Sequence, residues 1–362
     1  MGTIHLPHTE PDTPVTVFRN PWRLSVAPMM DWTDRHCRFF HRLITRRARL
    51  YTEMVTTGAL LHGDVPRHLD FNAEEHPLAL QVGGSEPSDL ARVAHLARRW
   101  GYDEINLNCG CPSERVQRGA FGACLMAEAP LVRDGVAAMR DVLGDDLPVT
   151  VKHRIGIDRI ERYEFVRDFV ATVSEAGCTV FIVHARNAWL QGLSPKDNRE
   201  IPPLRHEFVH RLKQELPHLT IAINGGITSN DQIEGQLAQV DGVMVGREAY
   251  HHPALMAHWD ARFFGDGDAC DLGDLCDVGD VGDVGDDWRL AIEERLLPYM
   301  EQQQARHGTP WSHISRHALG LWNGQAGARR WRQVWSDHRL KALPAREVAA
   351  LAHQARRGIL AT

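Results

Sequence analysis

The chain has 362 residues, 43% hydrophobic and 24% charged, which suffices for one large domain and a smaller one. No apolar run approaches the ~20 residues that cross a bilayer, and residues 1–20 lack the apolar centre of a signal peptide. Seven cysteines at irregular spacing argue against a disulfide framework and for a reducing cytoplasm.

Eight short apolar segments end in polar or small residues: Leu24–Pro28, Leu50–Met54, Leu78–Val82, Ile105–Asn108, Val149–Lys152, Val180–His184, Thr220–Asn224 and Gly242–Val245. Between them lie amphipathic stretches, among them Pro87–Trp100, Pro130–Leu143, Tyr163–Ala176, Arg205–Leu216 and Ser229–Leu237. Strands alternating with helices make parallel βαβ units, and eight such units over roughly 240 residues predict an α/β fold, a (β/α)8 TIM barrel. An open doubly wound sheet would favour a Gly-x-Gly-x-x-Gly turn after the first strand, and Pro28-Met-Met-Asp-Trp32 has none.

A helix ending near Phe264 closes the barrel. Residues 265–287 then carry nine aspartates and no lysine or arginine, including three tandem Asp-Val-Gly units, and read as a low-complexity acidic linker. Residues 288–362 carry twelve lysines and arginines against five acids, so a net charge of -6 conceals a local polyanion footprint. This part reads as the helices Trp288–Gln304, Trp311–Asn323, Gly327–Trp335 and Ala345–Arg356. Arg316, Arg329, Arg330 and Arg332, interleaved with Trp322, Trp331 and Trp335, suit backbone phosphates; an ordinary bundle with tryptophan inside and arginine in solvent is the alternative. The expected organisation is an N-terminal extension (1–21), a barrel (22–264), a linker (265–287) and a C-terminal all-helical domain (288–362).

In such a barrel the site lies at the carboxyl ends of the strands. Those ends give Met29, Glu53, Gln81, Asn108, Lys152, His184, Asn224 and Gly246-Arg247, expected to share one cup. Asn224-Gly225-Gly226 and Gly246-Arg247 fit a phosphate cradle, with a helix starting near Thr228 or Ser229 adding its dipole. Lys152 at the end of a buried strand needs a partner, either a ligand's electron-rich edge or Glu53. Gln81 can read the same edge through its amide. His184 suits a phosphate or ring oxygen, or a satisfied core position. Cys111 follows Gly110 at a strand-to-loop junction, with Pro112 where a helix could start, which exposes a rigidly held thiol to the cup. Cys109-x-Cys111 lacks the second pair that zinc requires. Cys37 and Cys178 read as buried apolar residues.

These residues resemble the tRNA-dihydrouridine synthases, most closely their A subfamily. The resemblance runs through Ser25-Val-Ala-Pro-Met-Met-Asp-Trp-Thr-Asp-Arg35, Ala79-Leu-Gln-Val-Gly-Gly84, Asn106-Leu-Asn-Cys-Gly-Cys-Pro-Ser113, Val149-Thr-Val-Lys152, Gly192-Leu-Ser-Pro-Lys-Asp-Asn-Arg199, Ile223-Asn-Gly-Gly226 and Gly242-Val-Met-Val-Gly-Arg247. It covers about residues 22–264 strongly and 288–340 more loosely. It implies a cytoplasmic, monomeric FMN enzyme that reduces the C5–C6 bond of D-loop uridines (U20 and U20a) in tRNA with NADPH and touches no membrane. By the same resemblance Pro28, Met29, Met30, Gln81, Lys152, His184, Asn224, Gly225, Gly226, Gly246 and Arg247 would hold FMN. Cys111 would be the proton donor to C5, Asn108 would touch the target nucleotide, and Arg154, Lys196, Arg199 and Arg316 would contact tRNA. Cys109 stands where the family has an aliphatic residue, placing a second thiol near the acid, and His153 replaces a small residue. The alternatives are a flavin barrel acting on a free pyrimidine, in the manner of dihydroorotate dehydrogenase, a non-catalytic RNA-binding protein and, more distantly, a phosphosugar barrel.

Overall fold

A computed structural model describes residues 20–113, 116, 119–265 and 287–359. The acidic linker and most of the stretch after Pro112, where a helix could start, lie outside the described residues, as does nearly all of the N-terminal extension.

The described strands form one parallel sheet. They are β1 (Leu24–Val26), β2 (Leu50–Tyr51), β3 (Val55–Thr56), β4 (Leu78–Gly83), β5 (Glu104–Cys109), β6 (Val149–Arg154), β7 (Val180–His184), β8 (Thr220–Asn224) and β9 (Gly242–Val245). The order is β1-β9-β8-β7-β6-β5-β4-β2, with β3 also on β4. A bridge between Ser25 and Arg49, with Val26 N–H to the Arg49 carbonyl at 3.0 Å, joins the two ends and closes the barrel. The predicted Leu50–Met54 strand is divided into β2 and β3, because Glu53 and Met54, after Thr52 N–H meets the Ala79 carbonyl, leave the ladder on β4 before Val55 rejoins it.

Helices fall where the periodicity placed them: Pro87–Trp100, Ala129–Leu143, Tyr163–Ser174, His206–Glu215, Asn230–Leu237 and Trp259–Phe264. Helix Arg35–Ile44, absent from the predicted stretches, carries an apolar face of Cys37, Phe39, Phe40, Leu43 and Ile44, and its other face, with Arg38, His41 and Arg42, is buried as well. Arg38 bonds the Glu75 carboxylate at 2.5 Å, and Arg42 donates to the carbonyls of Thr45, Ala48, Glu75 and Pro77. These buried charges are paid for by partners that no local pattern reveals.

Helices Asp287–His307, Trp311–Ala318, Ala328–Trp335 and Ala345–Arg356 complete the fold. They dock on helix Arg35–Ile44, where Tyr299 stacks on Phe39 at 3.8 Å and its hydroxyl meets His36 Nδ1 at 2.8 Å. Trp311–Ala318 stops short of the predicted Asn323, the chain continuing in turns in which Gly320 lies against the His251 carbonyl. Trp322, Trp331 and Trp335 are buried while Arg329, Arg330 and Arg332 are exposed. The tryptophans are therefore the core of the bundle and not a stacking platform, since their area is worth more inside than in solvent.

Candidate active site

Alternation along β5 decides the site. Glu104, Asn106 and Asn108 face the barrel interior, whereas Ile105, Leu107 and Cys109 face the helices. At the open end, Asn108 Oδ1 accepts the N–H groups of Gly110 and Cys111 at 3.1 and 2.9 Å. That turn, with the Cys111 carbonyl held by Ala123 N–H at 2.9 Å, leaves the Cys111 thiol half-buried on a cleft of about 650 Å³. Ser113 Oγ lies 3.5 Å from its sulfur.

Pro28, Met29, Met30, Gln81, Asn108, Lys152, Arg154, His184, Arg199, Asn224, Gly225, Gly226, Gly246 and Arg247 line the same cleft. Lys152 Nζ donates to Asn224 Oδ1 at 3.2 Å and meets no carboxylate among the described residues. Burial, reinforced by Arg154, pushes its pKa down to about 7. Glu53, the alternative partner, accepts the Asp31 N–H instead and does not line the cleft; Met54 does. His184 is held well below the usual imidazole range by burial and then by Arg154 and Lys152, and its buried Nδ1 has no partner. Gly225 and Gly226 have φ of +114° and +75°, and a Cβ on Gly225 would sit 3.3 Å from His184 Nε2. Ser229 caps helix Asn230–Leu237 beyond this turn, in accord with the predicted start.

A desolvated lysine without a counter-charge, an orphaned imidazole nitrogen and a glycine turn that admits no side chain fit a ligand with an electron-rich edge and an anionic tail. The mouth is electropositive. Arg247 pairs with Glu200 at 2.6 Å, and proximity to Arg247 depresses Arg186 and Arg199 after burial has done so.

Other expected residues fall elsewhere. Cys109 is fully buried on the helix-facing side, so no second thiol reaches the cleft. His153 is buried against Phe169 and Phe181 and bonds the Arg154 carbonyl at 2.7 Å. Arg154 lines the cleft but is a brace: its guanidinium holds the carbonyls of Gly110, Asn187 and Asn198 at 3.2, 3.1 and 2.9 Å. Lys196 is exposed on the loop after β7, outside the cleft. Arg316 lies on the helical region and bonds Asp34 at 2.8 Å, alongside His317 at 3.1 Å.

A family model described as dihydrouridine synthase (Dus) matches residues 25–356. The chain belongs to the dihydrouridine synthase family. The tRNA-dihydrouridine(20/20a) synthase of Vibrio parahaemolyticus is 56% identical over 317 residues, covering 87% of this chain and 91% of that one. The protein of the same name from Escherichia coli K12 is 54% identical, covering 88% and 87%. A morphinone reductase variant in complex with tetrahydroNAD aligns with a TM-score of 0.48 at 12% identity, over 66% of this chain and 86% of that one.

The family match runs from β1 to the last helix, so the helical region belongs to it as well as the barrel. Sequence reasoning missed Asn198, which is fully buried and ties Trp189, Leu193 and Ser194 into the loop bearing Lys196 and Arg199. It also missed Trp32, stacked on Tyr250 at 4.5 Å on one wall of the cleft. Trp32 stood inside a quoted motif, which was the available signal.

Proposed function

We propose that this protein reduces D-loop uridines of tRNA to 5,6-dihydrouridine, with FMN as bound cofactor and NADPH as reductant. The observation that carries the reading is the Cys111 thiol, fixed by Asn108, on a cleft whose floor presents the uncompensated Lys152 and the orphaned His184. The relatives' printed names supply the substrate class.

Pro28, Met29 and Met30 would pack on the flavin, Gln81 and Lys152 would face its polar ring edge, and His184, Asn224–Gly226, Gly246 and Arg247 would take its phosphate-bearing end. When bound, FMN supplies hydride to C6 of the uracil. Cys111 holds a proton at Sγ and gives it to C5 from the opposite face. Asn108 anchors the loop that aims this thiol and touches the target nucleotide. The base must leave its stack to enter the cleft, so a grip outside the barrel is required. Lys196, Arg199 and Arg316 are the cations for that grip, with Arg154 fixing the loop that carries Lys196 and Arg199. The barrel (22–264) and helical region (288–362) thus act as catalytic and tRNA-gripping parts of a cytoplasmic monomer.

Visible absorbance of the purified protein, bleached by NADPH, followed by dihydrouridine in unmodified tRNA, is the expected result. Uracil turnover without tRNA would replace this reading with a free-pyrimidine reductase. A colourless protein that binds tRNA would replace it with a binding protein.

A further inference from the structure

Hydrogen bonds run in a single direction through the barrel interior from the Cys111 loop to Glu104. The N–H groups of Gly110 and Cys111 donate to Asn108 Oδ1. Asn108 Nδ2 donates to Gln81 Oε1 at 2.9 Å, Gln81 Nε2 to Asn106 Oδ1 at 2.8 Å, and Asn106 Nδ2 to Thr150 Oγ1 at 2.7 Å. The Thr150 hydroxyl ends the series on Glu104 Oε1 at 2.5 Å. Each of these side chains but Asn108 is almost wholly buried, and Asn108 is 8% exposed.

Everything facing Glu104 is a donor. Tyr51 OH shares Oε1 at 2.8 Å, while Trp22 Nε1 and Arg49 Nη1 meet Oε2 at 2.7 and 3.4 Å. Three amides intervene, and each could turn over without changing shape. Their orientation is set by the ends, because backbone N–H groups cannot accept and a carboxylate cannot donate. We propose that Glu104 is a positioning residue for the cleft: it fixes the polarity of this series, and so which atoms Gln81 and Asn108 turn to the cleft and how firmly the Cys111 loop is held. The inference deepens the function proposed above by naming a residue far from the chemistry on which the same site relies.

Glu104→Gln tests it by exchanging an oxygen for an NH2. Trp22 and Arg49 can only donate, so they claim the remaining oxygen and leave the NH2 against Tyr51 and Thr150. Thr150 then accepts there, and turning its proton on Asn106 is what keeps that buried donor paired. Each amide reverses in turn until Asn108 would oppose donor to donor at Gly110 and Cys111, some four strand residues or roughly 13 Å away.

The measurement is amide hydrogen exchange at Gly110 and Cys111 in flavin-free protein, which needs no substrate. Glu104→Gln should speed exchange there at least tenfold. Thr150→Val, which cuts the series, should speed it too, and adding Glu104→Gln should then change it less than twofold. Tyr51→Phe, which removes the other hydroxyl from the same oxygen, should leave these amides unaltered. In loaded enzyme Glu104→Gln should lower kcat while leaving KM for tRNA unchanged. Unchanged exchange in Glu104→Gln, equal acceleration with or without the Thr150 hydroxyl, or the same effect from Tyr51→Phe would overturn the proposal. Should Glu104→Gln not fold, Thr150→Ser must retain parental exchange where Thr150→Val does not; equal rates overturn it. Exchange that responds as expected in a protein making no dihydrouridine would sink the functional reading and leave the series standing.

Discussion

Lys152 gives the sharpest test of what the cleft holds. In the free protein its pKa is pushed down to about 7 from an ordinary 10.5, chiefly by burial. A ligand that sets an electron-rich edge on Nζ favours the charged form and restores the pKa toward its ordinary value. Binding must therefore take up a proton above pH 7, and FMN affinity must fall as pH rises. For a free pKa near 7 and a bound value near 10, the dissociation constant grows about fiftyfold between pH 7 and 9, or roughly 2.3 kcal/mol at 1.36 kcal/mol per tenfold. Lys152 lines a cleft open to solvent, which will trim this, and a tenfold change is the threshold. Quenching of FMN fluorescence by flavin-free protein across pH 6–9 measures it, with Lys152→Met as the reference that should lose the slope. The linkage has an opposite face in the free protein. Between about pH 7 and 10 the unfolded chain holds a proton that the folded chain lacks, so flavin-free protein gains stability as pH rises through that window. A parental slope below tenfold, or the same slope in Lys152→Met, would refute the assignment of Lys152 to the ligand.

Cys111→Ala should retain flavin colour and NADPH oxidation while dihydrouridine formation, measured by mass spectrometry of tRNA digests, falls by about 10²–10⁴. Lys196→Ala should weaken tRNA binding, flatten its salt dependence by about one phosphate contact and leave melting unchanged, because the side chain of this exposed lysine makes no hydrogen bond or ion pair among the described residues. Arg316→Ala should weaken tRNA binding and lower stability as well, since the same guanidinium bonds Asp34. Burial works to raise the Asp34 pKa, but His317, the Cys37 N–H and Arg316 outweigh it and hold it well below the usual carboxylate range. Its contribution is therefore present above an ordinary pKa of ~3.9 and lost as pH falls through the folded value; Asp34→Asn should cost about 2–4 kcal/mol in urea unfolding at neutral pH.

The architecture was legible because buried parallel strands and amphipathic helices write themselves as local periods. Pro87–Trp100 and Ala345–Arg356 occur at the predicted bounds. What local periods cannot encode is a polar group satisfied by a distant partner. The burial of Arg38 and Arg42 went unread for that reason, as did the brace Arg154, whose partners lie 33 to 44 residues away, while Asn198 bonds within its own loop, where no period marks it. Arg154 was legible as a cation and not as a spent one. The tryptophans of the helical region show the converse: their spacing fitted both a stacking face and a core, and only packing distinguishes the two.

Cys109 and Cys111 draw out what alternation does. Neighbouring thiols in one motif receive opposite fates because β5 sends position 108 inward and 109 outward, and the chain then turns at Gly110. One sulfur is sealed between sheet and helix, where burial raises its pKa far above the usual thiol range; the other is delivered to the cleft. The other helix-facing positions of β5, Ile105 and Leu107, are apolar, and an aliphatic residue would suit 109 as well. Inward positions climb from Glu104 through Asn106 to Asn108, so the interior above Glu104 is wired with amides where many barrels stack aliphatics. An amide ladder of this kind costs stability unless every member is satisfied. Here each of the three amides is bonded on both sides, so none of them carries that cost.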